Sequence, residues 1–118
     1  MTSPMPMDEA LRQIEQSPIF VTSIPPNGFG RTRNAMLHLI HAFKNCKWIF
    51  IWVPNDKRIK HAYETKTILG KIEEKHPNPE REVHTFFGDA EGLWNHIAET
   101  TEIDLIDIEL EIGGYKDD

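Results

Sequence analysis

Two glycines and two arginines fall within Asn27-Gly28-Phe29-Gly30-Arg31-Thr32-Arg33-Asn34, the stretch whose residue types are best suited to chemistry. Glycine lets a backbone approach a ligand closely, and arginine grips carboxylate or phosphate with a two-pronged fork. The stretch follows an apolar segment, Ile19 to Ile24, that reads as a strand. After it comes Asn34 to Phe43, where Met36, Leu39, Ile40 and Phe43 recur at helical spacing. A helix opening at this point presents unpaired N–H groups and the positive end of its dipole. The chemistry implied is recognition of an anion, with Asn27, Gly28, Phe29, Gly30, Arg31 and Arg33 as binding residues. Pro25-Pro26-Asn27-Gly28 is equally the composition of an ordinary turn, a reading that predicts no ligand at all.

A parallel sheet is what would bring such residues to other chemistry. Met7, Leu11 and Ile14 suit a short amino-terminal helix that ends at Ser17-Pro18. Trp48 to Val53 is unbroken and apolar, as a central strand covered on both faces should be, and Pro54 ends it. Asn55 or Asp56 caps a helix running to about Lys75 with Ala62, Leu69 and Ile72 inward, and His76-Pro77-Asn78-Pro79 stops it. A strand over Val83 to Phe87 ends at Gly88. Asp89 caps a helix carrying Ala90, Leu93, Trp94, Ile97 and Ala98 on one face. Ile103 to Ile112 closes the series as a strand whose second half alternates Ile106, Ile108, Leu110 and Ile112 with Asp107, Glu109 and Glu111. Strands separated by helices predict a small three-layer α/β sandwich, with a mostly parallel four-stranded sheet and helices on both faces. One domain spans residues 1–118, with about 1–6 as a flexible amino terminus and about 113–118 as an acidic tail. Flavodoxin-like and Rossmann-like strand orders both fit the pattern.

In such a sheet, ligands bind outside the carboxyl ends of the strands. To the glycine and arginine loop this adds Ser23, then Asn55, Asp56 and Lys57, then Gly88 and Asp89, and last Gly113, Gly114 and Tyr115. Asp56 or Asp89 is placed to accept from ribose-type hydroxyls, and Phe29 or Tyr115 to stack on a base. Gly28-Phe29-Gly30 begins a dinucleotide fingerprint, but Arg33 stands where its third glycine belongs, which disfavours NAD and FAD. No P-loop pattern is present, and no cofactor is expected.

Gly28-Phe29-Gly30-Arg31, Arg33-Asn34 and the Trp48 to Pro54 strand together resemble the opening of fucosyltransferase-type glycosyltransferases, over less than a quarter of the chain. The resemblance implies a strand, glycine-rich loop, helix and strand in that order. Those enzymes also use a second nucleotide-sugar-binding domain, for which 118 residues leave no room, so no transfer activity is implied.

The net charge of −6 is unevenly spread. Phe29 to Lys60 carries a net +6, and Glu99 to Asp118 a net −7. Such a layout steers an anion to one region and a basic partner to another, or simply lets opposite charges pair across the surface. Asp107, Glu109 and Glu111 form a row that a basic protein partner would relieve, or that keeps an edge strand from pairing with other edges. The acidic total argues against nucleic acid. One cysteine, Cys46, leaves no internal disulfide, and neither a leader-like amino terminus nor a spanning apolar run is visible; the expectation is a cytoplasmic protein away from membranes. His38 and His41 lie three apart on the polar face of their helix; no third ligand is near in sequence, so solvated histidines and no metal are expected. The functional expectation is a small binding protein that recognises an anionic, phosphorylated molecule, a nucleotide among the candidates. The alternatives are an acidic interaction module or inhibitor acting through Asp107, Glu109 and Glu111, and a small transferase or hydrolase with Asp56 or Asp89 as base. No nucleophile and base are paired in the sequence, which favours a non-enzyme. An exposed edge strand is compatible with a homodimer.

Overall fold

A computed structural model describes residues 7–102. The chain runs through α1 (Met7–Gln16), β1 (Ile19–Ser23), a 3-10 turn (Phe29–Arg31), α2 (Arg33–Asn45), β2 (Trp48–Val53), a one-turn helix α3 (Asp56–Ile59), α4 (Ala62–Lys75), β3 (Glu82–Phe87) and α5 (Ala90–Thr101). The three strands form one parallel sheet in the order β1-β2-β3. Ile19 pairs with Trp48, and Trp48 in turn with Glu82. This consecutive order sets aside the flavodoxin-like alternative, in which the first strand lies between the second and third.

β2 is apolar along its whole length because its centre is buried on both faces. Ile49, Phe50 and Ile51 are each 0% exposed. Alternation divides its side chains between two cores. Ile49, Ile51 and Val53 join Phe20 and Ile24 beneath Ile14 of α1, Leu39, Ala42 and Phe43 of α2, and Leu69 and Ile72 of α4. Phe50 faces the other way, with Ile19 and Val21 of β1 against Leu93 and Ile97 of α5, flanked by Trp48, Trp52, Phe86 and Trp94. The result is three layers: α1, α2 and α4 on one face, the sheet in the middle, α5 on the other face. Both helices that carry the chain forward from strand to strand, α2 and α4, share a face, as two right-handed crossovers advancing in one direction do.

Short links fix the strand ends. The Pro18 carbonyl accepts from both Lys47 and Trp48 N–H groups at 3.0 Å, and Arg81 donates from Nη1 to the Phe43 carbonyl at the carboxyl end of α2. The Arg81 guanidinium also lies 4.5 Å from the centre of the Phe43 ring. Among the described residues, no helix is long and apolar enough to cross a membrane.

One expectation needs correction. The single helix predicted from Asn55 or Asp56 to Lys75 is two pieces, α3 and α4, broken at Lys60-His61. Asn55 is the cap, its Oδ1 accepting from Lys57 N–H at 3.0 Å, and both Arg58 and His61 are drawn back to the loop after β1 by hydrogen bonds that a straight helix would not place. Three strands make up the described sheet. The fourth predicted strand, Ile103 to Ile112, lies outside the described residues, as do the predicted flexible start and acidic tail.

Leu39 and Leu37 sit two apart on α2 with opposite surroundings, 0% and 40% exposed. Leu39→Ala is expected to cost about 2–5 kcal/mol through lost burial and the cavity left behind. Leu37→Ala is expected to stay within about 0.5 kcal/mol of wild type. Urea unfolding of the two variants side by side measures the contrast.

Candidate functional site

The loop from Ile24 to Thr32 lies at the carboxyl end of β1, where the sheet hands the chain to α2. It is anchored at both ends. Ile24 N–H bonds to the Trp52 carbonyl at 2.9 Å, and the Phe29 side chain, 1% exposed, is buried among Ile24, Leu39 and Leu69. Between them Gly28 N–H closes a turn onto the Pro25 carbonyl at 2.9 Å, with Gly28 at φ +81°, a region that side-chain-bearing residues rarely adopt. The buried ring corrects one expectation: Phe29 anchors the loop and offers no face for stacking on a ligand. Asn27, Gly30, Arg31 and Arg33 remain exposed on the loop.

The loop delivers the chain into α2 through Thr32, which makes no side-chain cap; its hydroxyl donates instead to the Gly28 carbonyl at 3.4 Å. Electrostatics set this helix apart. Helices favour acids in their first turn, where the dipole is positive. The other four described helices follow that rule with Asp8 and Glu9 in α1, Asp56 in α3, Glu64 in α4 and Glu91 in α5. α2 has no acid there and begins with Arg33, two residues after Arg31. Its first turn therefore supplies no negative charge of its own.

The α3–α4 segment walls one side of the loop, and it contains residues that sequence reasoning passed over. Arg58 Nη1 donates to the Ile24 carbonyl at 2.9 Å and reaches the Ser23 hydroxyl at 3.5 Å. His61 Nε2 donates to the Pro26 carbonyl at 3.0 Å. The Glu64 carboxylate lies against both glycines: a Cβ on Gly30 would fall 2.7 Å from its Oε1, and one on Gly28 would fall 3.6 Å from its Oε2. The two glycines thus accommodate an acid and an imidazole from α4, and an anion must approach the α2 terminus from the arginine side. The signal for these residues was present in their position just past the carboxyl end of β2 and in the His61 and Glu64 spacing of three. Tyr63, 82% exposed, and Ile59, 46% exposed, add apolar surface on the same segment.

The remaining predicted residues divide. Asn55 and Asp89 are structural caps, Asn55 to α3 and Asp89 to α5, where its carboxylate accepts from Gly92 N–H at 2.8 Å. That bond commits one Asp89 oxygen to the helix, away from ligand or base chemistry. Asp56 is exposed in the first turn of α3. Across the sheet end, Trp52 Nε1 donates to the Gly88 carbonyl at 2.8 Å and ties β2 to the start of the α5 connection. Asp107, Glu109, Glu111, Gly113, Gly114 and Tyr115 lie outside the described residues.

His38 and His41 are not solvated on a polar face. α1 packs against α2, both histidines are partly buried, and His41 Nε2 meets Glu15 Oε1 at 3.0 Å. No group of three or more histidine, cysteine, aspartate or glutamate residues suited to a metal ion occurs among the described residues. No protein-family model, curated protein or solved structure matches this chain.

Two measurements follow from this geometry. Gly28→Ala forces a side chain into the left-handed region and towards His61 Nδ1, 3.2 Å from the added Cβ. It is expected to lower stability by about 1–3 kcal/mol, read as a drop in the urea midpoint at unchanged slope. Burial first, and the neighbouring His41 second, hold the His38 pKa below its ordinary 6.5. The unfolded chain therefore binds the proton more readily. The stabilising contribution is complete above pH 6.5 and is lost as pH falls from there through the folded pKa. His38→Gln should flatten the fall in thermal midpoint across that window.

Proposed function

We propose that the protein binds a small anionic molecule at the carboxyl end of its sheet, with the anion on the amino terminus of α2 between Arg31 and Arg33. The observation that carries this reading is the reversed charge at that helix start, cationic where every other described helix start is acidic. A helix terminus left positive gains from an anion through its N–H groups, its dipole and its arginines together. Tyr63 and Ile59 on the adjoining segment suit a ligand with an apolar or aromatic body, and Glu64 suits one with hydroxyl or amine donors. A phosphorylated organic molecule, such as a nucleotide, combines these features. Asn27 and Gly30, exposed on the loop, complete the proposed contact set. The contacts of the loop are structural and electrostatic, and the reading is of a binding protein.

Titrating nitrogen-15-labelled protein with inorganic pyrophosphate, and separately with a nucleoside monophosphate, tests the proposal. Amide shifts are expected at Arg33, Asn34 and Ala35, weakening as salt is raised. Arg31→Glu with Arg33→Glu should weaken binding by about tenfold or more, since charge-assisted contacts are each worth about 1.5–3 kcal/mol. Arg12→Glu, an exposed change on α1, should leave it intact. Millimolar ligand without shifts at these amides, or shifts that survive the double reversal, would overturn it.

A further inference from the structure

β1 lies at the outer edge of the described sheet, yet it is built as an interior strand. Ile19, Phe20 and Val21 form an unbroken apolar run and are 5%, 3% and 7% exposed. β3, at the opposite edge, exposes Glu82, Thr85 and Phe87. Continuous burial is the pattern of a strand covered on both faces, a cover that the opposite edge strand lacks.

The backbone points the same way. Trp48 N–H bonds to the Pro18 carbonyl and Ile24 N–H to the Trp52 carbonyl. Successive residues of a strand direct their hydrogen-bonding groups to opposite sides, so the even-numbered residues of β1 serve β2. Ile19, Val21 and Ser23 direct theirs outward. Ser17 answers the first: its hydroxyl accepts from Ile19 N–H at 3.2 Å and donates to the Ile19 carbonyl at 2.7 Å. Val21 comes next, and buried backbone groups are paired as a rule. The outer edge of β1 at Val21 is therefore a docking edge for another strand.

Topology names the occupant. α5 starts beyond the carboxyl end of β3 and packs over Ile19, Val21 and Phe50, on the face opposite α2 and α4. Right-handed crossovers on the α2 and α4 face advance the chain from β1 to β3, so a right-handed crossover through α5 on the other face runs in reverse. The next position in that direction lies beyond β1. The chain continues past α5 with the alternating segment Ile103 to Ile112. Ten extended residues reach about 33 Å, ample to run alongside β1. We propose that residues 103–112 dock as a parallel strand on the outer edge of β1.

The resulting order, with this segment followed by β1, β2 and β3, is that of a Rossmann-like sheet at its reversal point. Ligands of such sheets bind in the crevice at that reversal, outside the carboxyl ends of the strands. The reversal falls between β1 and the docked segment, beside the Gly28 to Arg33 loop. The inference rests on the proposed binding site and deepens it by putting the Gly28 to Arg33 loop at that reversal.

The test needs no ligand, so its failure is distinguishable from failure of the binding proposal. Hydrogen exchange and cross-strand nuclear Overhauser contacts are read in the full-length monomer. The Val21 amide is expected to exchange at least about 100-fold more slowly than an open amide, as paired core strands do. Contacts should join Val21 to one of Ile106 to Ile112. Rapid exchange at Val21, or contacts from the segment to β3 instead, would overturn the assignment. So would contacts seen only between differently labelled copies, which would name a second chain as the occupant. Ile108→Pro should release Val21 while Ile51 stays protected; persistence of Val21 protection in that variant would also count against the proposal. Should the variant fail to fold, the wild-type contacts decide alone.

Discussion

Enclosing Trp48 to Val53 on four sides is the constraint on which the rest of the molecule depends. A strand paired along both edges and covered on both faces can hold no polar side chain without a buried partner, and β2 holds none between Trp48 and Val53. Its two neighbours must run parallel to it, because each is reached through a helix and not through a tight turn. Parallel strands place all their carboxyl ends on one side, and on that side the chain must leave β1, turn and start α2. The glycine and arginine loop is where it is because β2 is buried.

That loop is a compromise between packing and charge. Phe29 pins it to the core, Arg58 and His61 hold its carbonyls, and Glu64 rests in the space that two missing side chains leave. These contacts satisfy the loop from the α4 side. They leave the α2 terminus, with its arginines, facing outward. A loop held rigid on one side and electrostatically unbalanced on the other is preorganised: little conformational entropy remains to be lost when a counter-charge arrives.

Much of this was legible in the residues. The unbroken run at β2, the turn composition at Pro25 to Gly28 and the acid before α5 each act locally, so they mark a central strand, a loop and a helix cap without reference to the rest of the chain. Asp89 and Asn55 show the limit of that reading, because the residue types that bind hydroxyls also cap helices, and only the neighbouring N–H decides which they do. Phe29 shows a related limit: a phenylalanine between two glycines is consistent with exposure or with an anchor, and the choice belongs to the core it shares with Leu39 and Leu69. Arg58 and His61 bond to carbonyls 34 and 35 residues earlier, so their position past β2 marks them only as near the loop and does not name their partners. The His38 and His41 face reads as polar in isolation; α1 covers it, and covering is a tertiary event.

Cys46 shows how such covering can be watched. It is the sole thiol of the chain, 2% exposed at the carboxyl cap of α2, with its sulfur 3.5 Å from the Ile14 carbonyl of α1. A small thiol reagent reaches it only when α1 lifts or the core opens. The rate of its modification is therefore an intrinsic clock for the undocking of the first helix, readable without a label and without any change to the sequence.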